Sequence, residues 1–366
     1  MKILVCSNAF KGSFTSSEIS REISNILKEK NEVEVLTLSD GGDSLIDAYK
    51  SIYNDVEEIE VNVNSPMLDA IVPVKYLIHN NKAIIPSSLG LNFKYWVKNN
   101  NPAYASSYGL GQVIKNALDR GIKDFIIGIG GTLTNDMGIG ALSALGMVFE
   151  NAEGVFIPNP SNFDTIINMD LGLLDRNLSS AHFTLLTDVE NELLGENGAT
   201  YTFGIQKGMK DIDIPYIEQN IKYLTKFIKY KFNKDFSTEK GAGAGGGIVA
   251  GFCSFLNANI ESGSNFFLKM CDFSRKICDF DLIITGEGKV DSTSFEGKLL
   301  GKIIDLVPSN KLLVISGYID NDAYNILLNK KINCISLYSH KLQDSEVNRK
   351  ETLKLLDESL NNFLSI

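Results

Sequence analysis

A chain of 366 residues that is 44% apolar and 22% charged has an ordinary globular composition, long enough for about two domains that each bury a core. A formal net charge of −10 argues against a nucleic-acid partner, which needs clustered Lys and Arg, but leaves room for a small anion held by local donors. No run reaches the ~18 apolar residues of a membrane helix. Cys6, Cys253, Cys271, Cys278 and Cys334 contain no C-x-x-C pair, so reduced thiols in a cytoplasmic protein are expected. His79, His182 and His340 lie far apart and lack metal-ligand spacing.

In chain order, residues 2–6 form a short apolar run that reads as a buried strand rather than a leader segment. A polar turn reaches Ser13, and Thr15 with Glu18 has capping-box spacing. Ile19, Ile23, Ile26 and Leu27 follow at i, i+4, i+7 and i+8, one face of a helix. Val33, Val35 and Leu36 predict a second strand that ends at Asp40-Gly-Gly-Asp43. Residues 56–63 and 70–78 read as a β-hairpin around Ser65-Pro66. Ser106 and Ser107 open a helix carrying Leu110, Val113, Ile114, Ala117 and Leu118, with Gly121 at its stop. Residues 124–129 predict a strand, 130–136 a polar loop and 141–145 a helix. Ile217, Ile221, Leu224 and Ile228 mark an amphipathic helix over 216–228. Runs at 281–285, 312–316 and 334–337 predict further strands, and 345–363 a last helix.

This alternation predicts an α/β fold with a doubly wound, mostly parallel sheet domain that is discontinuous in sequence. Residues 1–54, 103–150 and 275–366 are assigned to this Rossmann-like domain, and 55–102 and 151–274 to a second, inserted α/β domain. The strands at 2–6, 124–129, 281–285 and 312–316 are expected parallel in one sheet.

Four of the predicted strands end in Gly with carboxylate, amide or hydroxyl groups: Asp40-Gly-Gly-Asp43, the loop 128–136, Gly286-Glu-Gly-Lys-Val-Asp291, and Ser316-Gly317. In an open α/β sheet, ligands bind at the carboxyl ends of strands. Glycines there let the backbone approach a ligand and offer N–H donors. Clustered Asp and Glu suit Mg²⁺, a hard cation. An anion cradle, a metal and a positioned nucleophile are what phosphoryl transfer requires. Plain turns are the competing reading, since Gly and Asp are common in turns.

The run Gly241-Ala-Gly-Ala-Gly-Gly-Gly247 contains G-x-G-x-x-G and opens a helix over 248–256. No predicted strand precedes it, so it lacks the dinucleotide-binding context, and it is no Walker A loop. Two readings stay open: a phosphate- or carboxylate-facing loop, or close helix packing. Lys11, after the first strand, is either a point charge for an anion or a solvated loop lysine.

These blocks together resemble the type I glycerate kinase family. Cys6-Ser-Asn-Ala-Phe-Lys-Gly-Ser13 is similar to its N-terminal Pro-Asp-Ser-Phe-Lys-Gly-Ser, and Ser39-Asp-Gly-Gly-Asp43 to its Ala-Asp-Gly-Gly-Glu. Ser107-Tyr-Gly-Leu-Gly111, Ile127 to Asp136, Thr187-Asp-Val-Glu-Asn191, Gln206-Lys-Gly208, Gly241 to Gly245 and Ile284 to Asp291 follow in family order. Asn8 and Ala9 depart from the family's usual Asp and Ser, Ser44 from a Gly, and Glu192 and Glu196 stand where Pro is common. Asn8 removes a carboxylate from beside the expected site.

The resemblance implies transfer of the γ-phosphoryl of ATP to D-glycerate, with 2-phosphoglycerate the family's favoured product and the active site in a cleft between domains. ATP and Mg²⁺ are then expected, with no nucleic acid and no membrane, and a homodimer left open. The implied catalytic residues are Asp188, Asp291 and Lys11, with Asp188 or Asp291 accepting the hydroxyl proton. Implied substrate or phosphate contacts are Ser13, Asp40, Gly41, Gly42, Gly130, Gly131, Thr132, Asn135, Lys207, Gly243, Gly245, Gly286 and Lys289; Asp136, Asp188 and Glu287 would lie near the metal. The competing functions are an NAD-dependent hydroxy-acid dehydrogenase and a non-catalytic ligand-binding paralogue.

Overall fold

The computed structural model describes residues 1–10, 13–42, 44–92, 101–341 and 348–364. In chain order, β1 (Lys2–Val5), α1 (Ser16–Leu27), β2 (Glu32–Val35) and α2 (Leu45–Ile52) come first. Then come β3 (Glu57–Asn64), β4 (Ile71–His79), β5 (Lys82–Pro86), α3 (Tyr108–Asp119), β6 (Asp124–Gly128) and α4 (Ile139–Ala144). Short strands β7 (Val148–Asn151), β8 (Gly154–Phe156) and β9 (Asn168–Asp170) lead to β10 (His182–Leu186) and α5 (Ala199–Phe203). After them come α6 (Ile214–Phe232), α7 (Ala244–Leu256), β11 (Asn259–Glu261), α8 (Gly263–Met270) and α9 (Phe273–Lys276). The chain finishes with β12 (Leu282–Val290), α10 (Leu299–Leu306), β13 (Leu312–Ile319), α11 (Asn321–Asn329), β14 (Asn333–Ser336) and α12 (Arg349–Leu364).

These elements form two compact units. Unit 1 comprises Met1–Asp40, Asp47–Asn54 and Gly263–Ile366; unit 2 comprises Gly41–Ile46 and Asp55–Ser262. The fold is the expected mixed α/β, with a discontinuous parallel-sheet unit and a second α/β unit inserted into it.

Unit 1 is built on a parallel sheet in the order β14-β13-β12-β1-β2. Counted along this unit alone the order is 2-1-3-4-5, which reverses direction between β1 and β12. Ile3, Leu4 and Val5 are wholly buried, as are Ile283 and Ile284, because helices cover both faces of a parallel sheet. The capping box starts α1 as its spacing predicts: Glu18 N–H donates to Thr15 Oγ1 (3.2 Å) and Thr15 N–H to Glu18 Oε2 (2.8 Å). Ile19, Ile23 and Leu27 bury its apolar face, joined in the same core by Leu356 and Leu360 of α12.

Unit 2 carries a mixed sheet in the order β11-β10-β6-β5-β4-β3 and a small antiparallel sheet β8-β7-β9. The predicted hairpin is β3 and β4, in register from Glu57↔Ile78 to Asn64↔Ile71. Strands β5, β6, β10 and β11 run parallel, so their C-terminal ends share one edge. The expectation that 124–129 shares one sheet with 2–6, 281–285 and 312–316 is corrected here. β6 lies between β5 and β10, with Phe125 stacked on Phe183 at 4.7 Å between ring centroids. Residues 103–150 therefore belong to unit 2, and the chain returns to unit 1 at Gly263 rather than near 275. Among the described residues, no helix is long and apolar enough to cross a membrane.

Candidate active site

At the parallel edge of unit 2, glycine sets the spacing between loops. Gly41 has φ +92°, and a Cβ on it would lie 2.7 Å from the Leu186 carbonyl oxygen at the end of β10. A Cβ on Gly128, at the end of β6, would lie 2.2 Å from the Gly41 carbonyl. Only bare backbone lets these segments meet. Gly130 N–H donates to Ser87 Oγ (3.1 Å) in the loop after β5. Two residues past β10, half-buried Asp188 accepts a hydrogen bond from Ser262 Oγ at 2.6 Å through Oδ1. Ser262 directly follows β11, so two neighbouring strand ends aim the Asp188 carboxylate.

Deeper in the loop after β6, Asp136, expected near the metal, is engaged by protein donors. Its carboxylate is fully buried and takes four donors. Oδ2 accepts from Ser107 N–H (2.7 Å), Ser107 Oγ (2.8 Å) and Gly140 N–H (3.1 Å), and Oδ1 accepts from Gly138 N–H (3.2 Å). These bonds tie together the starts of α3 and α4. Burial pushes the Asp136 pKa up, and the Ser107, Gly140 and Gly138 hydrogen bonds only partly offset this.

Lys207 is similarly interior. Its Nζ donates to the Thr134 carbonyl at 2.7 Å, and burial lowers its pKa to about 8 against the opposing pull of Asp136. Asn135 Nδ2 donates to Thr200 Oγ1 (3.2 Å) and Thr132 Oγ1 to the Gly245 carbonyl (3.2 Å). Asn135, Thr132 and Lys207 thus each make a contact that holds the loop.

The glycine run is closely packed. Gly245, Gly246 and Gly247 all have positive φ, and a Cβ on Gly246 would sit 2.0 Å from the Thr134 carbonyl oxygen. Gly243 N–H donates to the Asn191 carbonyl (3.0 Å), and its own Cβ would lie 2.3 Å from the Glu192 carbonyl. Gly243 and Gly245 therefore seat α7 against neighbouring loops. The chain before the run, residues 233–240, contains no strand.

In unit 1 the carboxyl-end portions of β12 and β13 and the segments after β1 and β14 surround a cavity of about 290 Å³ whose lining includes Ser13, Glu287, Lys289 and Asp291. Ser13 Oγ donates to the Phe10 carbonyl (3.0 Å), and Asn8 Oδ1 accepts from Ala9 N–H (2.8 Å). Gly286 is required by packing, since its Cβ would fall 1.6 Å from the Ile315 carbonyl oxygen. Asp291 caps the turn Ser292–Phe295, accepting from Thr293 N–H (3.1 Å), Thr293 Oγ1 (2.7 Å) and Lys289 Nζ (2.6 Å). Burial opposes its ionisation, yet the Lys289 and Thr293 contacts prevail and its pKa is lowered. Lys11 lies outside the described residues.

A family model described as the glycerate kinase family matches residues 3–366. The chain belongs to the glycerate kinase family. It is 33% identical over 306 residues to a glycerate kinase of Neisseria meningitidis serogroup B, covering 81% of this chain and 80% of that one. It is 30% identical over 306 residues to the glycerate 2-kinase of Escherichia coli K12, covering 82% and 80%. A solved structure from Salmonella typhimurium LT2, provisionally named glycerate kinase 2, has the same fold with a TM-score of 0.73 over the whole of both chains at 24% identity.

Within this family frame, the expected residues sort by unit. Asp188, Gly41, Gly42, Gly130 and Gly131 belong to unit 2, while Ser13, Gly286, Glu287, Lys289 and Asp291 belong to unit 1 with Asp40. Among the described residues, no group of three or more His, Cys, Asp or Glu gathers as a ready-made metal site. Sequence reasoning missed Lys298, Lys341, Tyr318, Tyr338 and Phe10, which also line the unit 1 cavity. The available signal was positional: Tyr318 and Tyr338 lie at or just past the ends of two parallel strands.

Proposed function

We propose that this chain is an ATP-dependent kinase that phosphorylates D-glycerate, forming 2-phosphoglycerate. Family membership supports the reaction class, and the relative named glycerate 2-kinase supports the 2-hydroxyl as acceptor. The observation that carries the reading is Asp188, a half-buried carboxylate at a parallel strand end, oriented by Ser262 among loops that glycine brings close.

In this reading, Asp188 accepts the proton of the attacking glycerate hydroxyl. Its bond from Ser262 fixes one oxygen and so sets the direction of the other. Asp291 is the weaker base, because its lowered pKa and its turn-capping bonds hold it ionised and engaged. It instead positions Lys289 for an anionic group.

Mg²⁺ commonly binds to one or two carboxylates plus substrate phosphates, so it needs no all-protein cage. Asp188 in unit 2 or Glu287 in unit 1 fits that demand by donor type, whereas Asp136 is saturated by four protein donors. When bound, the ion would neutralise charge on the transferring phosphoryl group. An NAD-dependent reading loses its main support, because the glycine run follows a turn and packs on backbone.

An assay of ADP release with D-glycerate tests the proposal, with the product resolved by phosphorus NMR. Turnover should require Mg²⁺ or Mn²⁺ and ignore NAD. Full activity in excess EDTA, or no turnover with D-glycerate, would count decisively against it.

A further inference from the structure

The unit 1 cavity has a chemistry that neither the family description nor the sequence blocks specify. It sits at the carboxyl-end portions of β12 and β13 and the segments after β1 and β14, beside the point where the strand order reverses between β1 and β12. In open parallel sheets that reversal opens a crevice that binds ligands. The lining carries two carboxylates, Glu287 and Asp291, the second paired with Lys289, and two further groups of side chains. Lys289, Lys298 and Lys341 supply ammonium groups, while Phe10, Tyr318 and Tyr338 supply aromatic surface.

Several of these side chains are held by neighbours. Lys289 Nζ is fixed by Asp291 at 2.6 Å, and Lys298 Nζ donates to Thr293 Oγ1 at 2.7 Å. Tyr338 Oη shares a hydrogen bond with Thr352 Oγ1 of α12 at 2.8 Å, and its N–H donates to the Gly317 carbonyl at 2.9 Å.

We propose that this cavity is the nucleoside triphosphate site, with the base against Tyr318 and Tyr338 and the phosphates on Lys289, Lys298 and Lys341. The assignment rests on the kinase reading above and adds to it which substrate unit 1 takes. Three properties favour the nucleotide over the acid. A three-carbon hydroxy acid has no flat apolar face for aromatic rings to cover, whereas a purine does. One carboxylate does not call for three lysines, whereas a polyphosphate chain does. At about 290 Å³ the cavity is near the lower end of the range for cofactor-sized ligands, and far larger than glycerate fills.

The test titrates the full-length chain with a non-hydrolysable ATP analogue and, separately, with D-glycerate, in wild type, Tyr318→Ala and Lys341→Gln. Removing a ring that stacks on a base should weaken the analogue by about 5–100-fold. Removing one lysine should weaken it by about tenfold. D-glycerate affinity should stay at the wild-type value in both variants. Inorganic tripolyphosphate separates the two halves of the cavity, since Lys341→Gln should weaken it and Tyr318→Ala should not.

Lys341 is exposed, so its variant carries the test if Tyr318→Ala fails to fold. Loss of D-glycerate binding with unchanged analogue binding would hand the cavity to the acid and overturn the assignment. So would an unchanged KM for ATP in both variants of an enzyme that still phosphorylates D-glycerate, and there the kinase reading survives. Analogue binding that both variants weaken, in a wild type that leaves D-glycerate unphosphorylated, would keep the nucleotide site and discard the glycerate reading.

Discussion

The strand-end loops of the two units use the same residue types to opposite ends. In unit 1, Gly, Asp and Lys after β12 leave a cavity with lysines and tyrosines on its wall. In unit 2, Gly, Asp and Lys near β6 close over one another. There Asp136 and Lys207 are buried, and glycines bring backbone to backbone. A charged residue beside a glycine is therefore not in itself a ligand contact. Whether it faces a ligand or braces a loop depends on what covers it. Asp188 and Asp136 make the point within one unit, since both lie in loops after neighbouring strands. Asp188 is half-buried and accepts a bond from Ser262, whereas Asp136 is sealed under four donors.

The largest effect should come from the half-buried member of that pair. Asp188→Asn keeps the shape and removes the charge, and kcat should fall by roughly 10²–10⁴, the scale of losing a general base. The melting temperature should stay close to wild type. Asp291→Asn is the control from unit 1. It should cost about 0.5–2 kcal/mol of stability as a lost turn cap and reduce kcat far less than Asp188→Asn does. Steady-state kinetics and thermal melts on both variants decide this. Equal kcat losses would place the two carboxylates in one role and erase the contrast.

The buried member should behave in the reverse way. Asp136→Ala strands the Ser107 and Gly138 donors and removes the counter-charge of Lys207, so about 3–5 kcal/mol of stability should be lost. Urea unfolding measures it, and a loss below about 1 kcal/mol would mean that water replaces the carboxylate. Gly246→Ala should cost somewhat less, about 2–3 kcal/mol, from a strained φ of +70° and a clash with the Thr134 carbonyl. If Gly246→Ala instead left stability intact and weakened substrate binding, the run would be a ligand loop after all.

Much of this was legible in the residues, and what was not has physical causes. Thr15 with Glu18 announced the start of α1 because a capping box is local. The hairpin of β3 and β4 was legible for the same reason. Strand β6 was assigned to the wrong sheet because a strand-loop-helix pattern does not name its partner strands. Register from Lys82↔Asp124 and His182↔Asp124, and the Phe125–Phe183 stack, involve residues about 40 and 60 positions away. Within the site, the glycine-rich strand ends could be read directly. Depth could not be read, since Asp136 in a polar loop looks the same in sequence whether covered or open. Lys298, Tyr318, Tyr338 and Lys341 come from separate segments, and only the strand order brings them to one cavity.

The smallest expected effect concerns Lys207 and is specific to its burial. Its pKa falls from the ordinary 10.5 to about 8 in the folded chain, because burial disfavours the ammonium more than Asp136 restores it. Below pH 8 both folded and unfolded chains hold the proton, and the folded chain bears the full cost of a buried cation. Between about pH 8 and 10.5 the unfolded chain binds more protons than the folded one, so stability from this group rises with pH. From pH 7 to pH 9 the gain should be about 1 kcal/mol. Other groups titrate in the same range, so the quantity to measure is the difference between wild type and Lys207→Met by urea unfolding at each pH. Lys207→Met has no proton to lose, and wild type should gain on it as pH rises from 7 to 9. A difference that stays flat would mean that Lys207 keeps its ordinary pKa through water or a nearby anion. That outcome would move Lys207 from the braced interior to the ligand-facing side of the contrast between the two units.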